Sequence, residues 1–99
     1  MKFNVIITPD ASRDIESIAD WYESQVKGLG KRFYKEAKKH IRLLYNNANS
    51  FAVKYDDVHC LKIKKFPCLI HYKVTGNTVI VYAVINTSRN PDIWKEKIK

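Results

Sequence analysis

The residues best suited to chemistry are cations at the ends of predicted strands. Lys62 and Lys64 stand two positions apart in a segment that alternates apolar and basic residues, and Arg89 follows a long apolar run. Alternate residues of a strand share one face of a sheet, so these three cations could surround a phosphodiester. There they would position RNA and offset the negative charge that builds on a pentavalent phosphorus. Spacing alone leaves open a second interpretation, in which all three are solvated surface cations.

Three more residues are candidates for the same site. His71 could act as a general acid or base because histidine ordinarily titrates near neutral pH, although a single strand histidine is more often a surface residue. Lys73 shares a face with His71 by alternation and is a candidate RNA contact. If their strands are antiparallel neighbours, both should lie beside the two lysines. Trp94 could stack on a nucleic-acid base or could instead pack the tail of the chain onto the sheet.

Other chemistries have little support. The three glycines are isolated, so no glycine-rich phosphate loop is present. The three histidines lack cysteine or acid at ligand spacing, and we therefore expect no metal site and no cofactor. Cys60 and Cys68 make no disulfide framework and have no histidine on their predicted faces, which argues against a thiol nucleophile. They are interpreted as idle thiols in a reducing cytoplasm.

Length and charge limit the possible functions. A chain of 99 residues has room for one domain, 1–99, and an apolar fraction of 45% is that of an ordinary globular protein. The formal net charge of +8 predicts an anionic partner such as nucleic acid, an acidic protein or an anionic surface, unless the protein is merely soluble and basic. Neither a signal peptide nor a run of about 20 apolar residues is visible, so we expect a cytoplasmic protein that does not engage a membrane.

Hydrophobic periodicity predicts the elements that would position these residues. Lys2 to Thr8 alternates as a first strand, and Thr8-Pro9-Asp10 is a helix start with a hydroxyl cap. The first helix ends near Lys27–Gly30, which supplies a glycine for a left-handed cap. A second helix is expected from about Lys31 to Asn46, and the short connection makes the pair an antiparallel hairpin.

The second half of the chain predicts a sheet. After an irregular segment that ends at Asp57, strands are expected at Val58–Phe66, Cys68–Thr75 and Thr78–Ile85. Gly76-Asn77 joins the last two as a tight two-residue loop, and Asp92 to Lys99 could form a short terminal helix. The predicted order of strand, helical hairpin, three-stranded antiparallel meander and short C-terminal helix is an α+β layer fold.

Two surfaces of this fold have a predicted environment. The outer face of the first helix carries mostly acids and the second helix carries many bases, so part of the charge should cancel across the hairpin. The charged residues assigned to that outer face are Arg13, Asp14, Glu16, Asp20 and Glu23. On the last strand, Ile80, Tyr82 and Val84 alternate onto the outward face of the sheet, which would need covering.

Several stretches, taken together, are similar to one family. They are Ala19-Asp20-Trp21-Tyr22, Lys65-Phe66-Pro67, Ile70-His71-Tyr72, the apolar last strand and Thr87-Ser88-Arg89-Asn90-Pro91. In their order and spacing the chain resembles, over nearly its whole length, the RelE/ParE toxins of bacterial type II toxin–antitoxin modules. The resemblance implies the RelE/ParE fold and an acidic antitoxin that wraps the toxin and covers its basic and apolar sheet surface.

The resembled family has two branches with different targets. RelE-like members cut mRNA in the ribosomal A site with the 2′-hydroxyl of the RNA as nucleophile, and Lys62, Lys64 and Arg89 fall where that branch carries catalytic cations. The arginine that such ribonucleases carry on the next strand is replaced here by Leu69, and Trp94 only approximates their terminal tyrosine or histidine. ParE-like members instead poison DNA gyrase and need no such set.

Two further details bear on the choice between the branches. The segment Phe66 to Tyr72, FPCLIHY, is more similar to the ParE-like branch. Many related small toxins have a histidine where this chain has Asn86, so an acid–base role does not transfer to that position.

The sequence therefore favours a growth-arresting toxin, with ribosome-dependent endoribonuclease activity placed ahead of gyrase inhibition. In that scheme Lys62 and Lys64 bind the scissile phosphate, Arg89 stabilises the transition state and His71 carries a proton. The second hypothesis is a non-enzymatic binder of DNA gyrase that uses the same surface. The third is an inactive family member that only binds its antitoxin.

Overall fold

A computed structural model describes residues 2–51, 53–55 and 57–87 of the chain. Its elements in order are β1 (Asn4–Ile7), α1 (Pro9–Gln25), α2 (Leu29–Asn47), a 3-10 turn (Ala48–Ser50), β2 (Val53–Tyr55), β3 (Val58–Lys62), β4 (Cys68–Thr75) and β5 (Thr78–Asn86). The α+β prediction is confirmed: a strand and a helical hairpin precede an antiparallel meander of β3, β4 and β5. The terminal helix predicted at 92–99 lies outside the described residues.

The strands form one mixed sheet whose edge strands are both short. Their order is β1-β5-β4-β3-β2, with β1 parallel to β5 and the other neighbours antiparallel. β2 lies in the segment predicted to be irregular, so that prediction is wrong there; Val53 pairs with His59 of β3. Three residues are too few to show alternation, which explains the miss. The loop between β4 and β5 is the predicted one, with Gly76 at a φ of 58°.

Local sequence fixes the start of α1 and the turn after it. The Oγ1 of Thr8 accepts the backbone N–H of Ala11 at 3.1 Å, and Pro9 occupies the first helical position, where its missing N–H costs nothing. After α1, Gly28 adopts the predicted left-handed conformation, with a φ of 85°. These signals are read correctly from sequence because they act within a few residues.

The start of α2 depends on α1. The carboxylate of Glu23, predicted to be on the outer face of α1, accepts the backbone N–H of Gly28 at 2.8 Å and that of Gly30 at 3.0 Å. An anionic acceptor at a helix N-terminus satisfies amides that have no intrahelical partner. Gly30 also allows close helix packing, because a Cβ there would lie 2.4 Å from the carbonyl oxygen of Ala19.

A β-bulge in β5 changes which of its side chains enter the core. Between Val81 and Ala83 the register against β4 shifts by one residue, so Tyr82 has no partner across the ladder. Val84 therefore faces the helices and belongs to the hydrophobic core. The prediction that Val84 faces outward is wrong because simple alternation cannot anticipate the extra residue.

Residues of α1 and its cap bind the backbone of β5 beyond the end of β1. The parallel pairing stops at Ile7 opposite Val81. One carboxylate oxygen of Asp14 then accepts the backbone N–H of Val84 at 3.1 Å, and the Oγ1 of Thr8 donates to the carbonyl oxygen of Tyr82 at 3.4 Å. Asp14 is thus half-buried against the sheet instead of lying on the solvent face, which corrects the prediction for this residue.

Candidate functional site

The outer face of the sheet, the face opposite the helices, carries three of the predicted site residues. Cys60 pairs with His71 and Lys62 pairs with Leu69 across β3 and β4. Residues paired in this way project to the same side of a sheet. Lys73 follows His71 at the next outer position of β4, where its Nζ lies 5.7 Å from the ring centroid of Tyr82.

Lys62 is exposed at the end of β3, and Lys64 is exposed in the turn that follows. The prediction of one strand over Val58–Phe66 is therefore wrong at its end, and the two lysines do not share a regular strand face. The turn is closed by a hydrogen bond in which the N–H of Ile63 donates to the carbonyl oxygen of Cys68, the first residue of β4, at 2.9 Å. Both cations nevertheless lie at one end of the β3–β4 hairpin.

His40 of α2 fixes the position of this turn. Its Nε2 accepts the backbone N–H of Lys64 at 3.0 Å. Its Nδ1 lies 2.7 Å from the carbonyl oxygen of Glu36, to which it donates. Because one ring nitrogen must accept while the other donates, the geometry requires the neutral Nδ1–H tautomer. The sequence alone suggests no role for His40, because the residue that it contacts, Lys64, is 24 positions away.

The prediction that His71 is a surface residue is wrong, because the residue is buried. Its side chain is 1% exposed, and its Nδ1 lies 3.5 Å from the Sγ of Cys60. The prediction that neither cysteine has a histidine on its own face is also wrong. The error came from the turn: once β3 ends at Lys62 and β4 begins at Cys68, the register brings Cys60 opposite His71.

The second thiol belongs to a buried polar cluster on the helix side of the sheet. The hydroxyl of Tyr22 lies 4.0 Å from the Sγ of Cys68 and accepts a hydrogen bond from the amide of Asn86 at 3.3 Å. Burial raises the pKa of the Cys68 thiol to about 11, although the Tyr22 contact and the nearby charge of Lys62 oppose the rise. Cys68 is therefore a neutral packing residue, and Asn86 has a structural partner.

The remaining predicted site residues, Arg89 and Trp94, lie outside the described residues. The structure thus brings Lys62 and Lys64 to the same end of a hairpin and places Lys73 on the outer face, and it removes His71 from solvent. The assignment of these side chains to catalysis or RNA binding stays a prediction.

The basic face of α2 has fewer ionic partners than predicted. Within residues 2–51 the described ion pair is that of Arg13 with Asp10 inside α1. His40 lies 3.7 Å from the Glu36 carboxylate inside α2, but as a neutral imidazole it forms no ion pair. The exposed cations of α2 are Lys31, Arg32, Lys35, Lys38, Lys39 and Arg42. Described ion pairs therefore do not cancel charge across the hairpin, and the helix presents a positive surface.

The described residues contain neither a metal-binding cluster nor a helix that could cross a membrane. They contain no group of three or more histidine, cysteine or acidic side chains arranged to hold a metal ion. None of the helices within them is long and apolar enough to cross a membrane. A groove of about 370 Å³ lies at the start of α1, lined by Asp10, Arg13, Asp14 and Tyr82.

Comparison with known proteins identifies the family. The chain matches the model of the ParE toxin of type II toxin–antitoxin systems, parDE, over residues 5–91. It belongs to this ParE toxin family, and it is a toxin of the type II class.

The fold has a solved counterpart. A chain of the chromosomal ParDE TA system from P. aeruginosa is similar with a TM-score of 0.75 and 18% sequence identity, over 86% of this chain and 96% of that chain. A comparison with curated proteins found no match.

Proposed function

We propose that the protein arrests growth by binding DNA gyrase and does not cut RNA. Its membership of the ParE toxin family supports the class of toxin, and the geometry of the outer face supports the absence of nuclease chemistry. This proposal reverses the order in which the sequence alone placed the two targets. The observation that carries it is the burial of His71, the proposed proton carrier.

RNA cleavage through the 2′-hydroxyl needs groups that move protons and groups that stabilise charge at phosphorus. A general acid or base must come within hydrogen-bond distance of the reacting oxygen, whereas His71 is 1% exposed and its Nδ1 faces a thiol. Leu69, directly opposite Lys62 in the ladder, adds no charge where the resembled ribonucleases carry arginine. Among the described candidates, the exposed cations Lys62 and Lys64 suit binding of an anionic surface better than proton transfer.

A partner antitoxin is part of the same proposal. The net charge of +8 and the six exposed cations of α2 favour an acidic segment that lies over the basic surface. Electrostatic attraction of this kind speeds association and weakens as salt is added. An acidic antitoxin that also covers Lys62 and Lys64 would block the toxin, because these are the cations proposed to contact its target.

Ribosome-dependent mRNA cleavage is the second candidate. Lys62 and Lys64 favour it because both are exposed at one end of the β3–β4 hairpin, where they could flank a phosphate. The two candidate functions predict damage to different nucleic acids. Gyrase poisoning leaves broken DNA, whereas a ribonuclease leaves new 5′ ends in ribosome-bound mRNA.

The test is expression of the full chain without antitoxin in a bacterial host. We expect growth arrest with DNA breaks and induction of the DNA-damage response, while mRNA ends mapped on ribosomes stay unchanged. New cuts in ribosome-bound mRNA without DNA damage would overturn the gyrase proposal in favour of the second candidate. Harmless expression of a folded chain would leave only antitoxin binding.

The contact surface is tested by the double variant Lys62→Glu and Lys64→Glu. Both side chains are exposed, so the free energy of unfolding should change by no more than about 0.5 kcal/mol. We expect toxicity to fall at least tenfold, measured as the inducer level needed for arrest. Lys27→Glu, an exposed change of the same sign and half the size in the turn between the helices, is the control and should stay toxic. Equal toxicity of all three proteins would exclude the proposed surface.

A further inference from the structure

We propose that Cys60 is a reactive thiol, activated by His71, that exchanges with anionic low-molecular-weight disulfides such as oxidised glutathione. The inference is independent of the toxin's target. It rests on the pairing of these two residues across β3 and β4 and on the 3.5 Å between the Sγ of Cys60 and the Nδ1 of His71. Thiolates are the nucleophiles in such exchange, and a neighbouring histidine that takes the thiol proton increases their population.

Burial does not prevent ionisation of this pair. When the proton passes from the Sγ of Cys60 to the Nδ1 of His71, the pair keeps its net charge of zero, and the two ions form in contact. An isolated buried thiolate has no such partner, and the pKa of the Cys68 thiol, raised to about 11 by burial, shows the cost in this protein. Cys60 differs further because it is partly exposed, whereas Cys68 is buried.

The charges around the pair select the kind of disulfide. The charged or titratable side chains that the described structure places on this face beside the pair are Lys62 on β3, Lys73 on β4 and Tyr82 on β5. The two lysines flank the pair at the next outer position of each strand and are cations. An anionic disulfide is therefore attracted to the site, and a cationic one such as cystamine is repelled.

The reaction balances without another oxidant. The Cys60 thiolate attacks one sulfur of glutathione disulfide, a new S–S bond forms as the old one breaks, and glutathione leaves as a thiolate. The proton taken by His71 then passes to the leaving thiolate through solvent. The product carries a bulky anionic group two residues from Lys62, on the outer face of the sheet.

The experiment treats the purified full chain with oxidised glutathione and locates the product by peptide mass analysis. We expect one glutathionyl group, on Cys60, with Cys68 modified only after unfolding by guanidinium. Cystamine should react at least several-fold more slowly at low salt. Modification of Cys68 at a similar rate, or of Cys60 only in denaturant, would overturn the proposal.

The pH profile separates activation from mere exposure. The rate for an ordinary thiol falls about tenfold for each pH unit below a pKa near 8.5. For Cys60 we expect the inflection at least one unit lower. His71→Asn should remove this extended range and slow the reaction at pH 6 about tenfold, while Cys68→Ala should retain it. If His71→Asn fails to fold, the profile of the unaltered chain decides: an inflection at pH 8.5 or above refutes activation by His71.

Discussion

Replacement of Asp14 by alanine tests whether α1 holds the bulged end of β5. In the folded chain one oxygen of Asp14 accepts the N–H of Val84 at 3.1 Å, beyond the point where β1 ends. Asp14→Ala removes this acceptor from the backbone of Val84, whose side chain is buried in the core. Hydrogen bonds to charged groups contribute about 1.5–3 kcal/mol, and the lower end applies here because Asp14 is only half-buried. We therefore expect a loss of about 1.5–2 kcal/mol.

The control is Asp20→Ala, which removes the same charge from an exposed position of the same helix. Both substitutions gain the same helix propensity, so the difference in stability between them reports the interactions of Asp14 in the fold, among them the bond from Val84. Asp14→Asn, which keeps an oxygen acceptor without the charge, should fall between the two. In a domain of this size the loss corresponds to a midpoint of thermal unfolding lower by roughly 6–16 °C.

Urea unfolding followed by circular dichroism measures the free energy, and amide hydrogen exchange of Val84 measures the local effect. The Val84 amide should exchange faster in Asp14→Ala while amides of α2 keep the protection expected from the global stability. Equal stability of Asp14→Ala and Asp20→Ala, with unchanged exchange at Val84, would refute the role assigned to Asp14.

Two further predictions concern the core. Gly30→Ala places a Cβ 2.4 Å from the carbonyl oxygen of Ala19, so the helices must separate; we expect a loss of about 1–3 kcal/mol in urea unfolding, and an unchanged midpoint would contradict the packing. At high pH, burial, helped by the charge of Cys60, raises the pKa of Tyr72 to about 12, and burial raises that of Cys68 to about 11. The folded chain binds the protons of the Cys68 thiol and the Tyr72 hydroxyl more tightly than the unfolded chain does. The free energy of unfolding should therefore keep its full value below about pH 9 and fall as the pH rises toward 12. Tyr72→Phe should remove the upper part of this fall and, through the lost 2.7 Å bond to the carbonyl oxygen of Ala48, cost about 1–2 kcal/mol at pH 7.

What the sequence predicted correctly is local. Thr8 and Pro9 mark the start of α1 within three residues, and Gly28 and Gly76 supply positive φ where turns require it. These signals need no knowledge of the rest of the fold. The family resemblance rested on the order of such segments, and the match to the ParE toxin family over residues 5–91 confirms it.

What the sequence could not supply depends on register between strands. A strand prediction that ran on to Phe66 left no register by which to pair Cys60 with His71, and a bulge at Tyr82 moved Val84 from the outer face to the core. Both are consequences of one or two residues in a ladder, and a shift of one residue exchanges the two faces of a strand. The prediction of the candidate site was less accurate than that of the fold, because the site residues were chosen by the face of the sheet on which alternation placed them.

The contact between His40 and the turn decides how charge variants at Lys64 should be interpreted. His40 holds Lys64 through its backbone N–H, at 3.0 Å, so the turn keeps its anchor whatever side chain stands there. Lys64→Glu therefore changes charge and leaves the position of the turn unchanged. A change at His40 would do the reverse, since it would free the backbone of the turn and leave the ammonium group in place. Loss of toxicity in the first variant consequently reports electrostatic contact with the target, and this distinction makes the lysine pair a direct probe of the proposed binding surface.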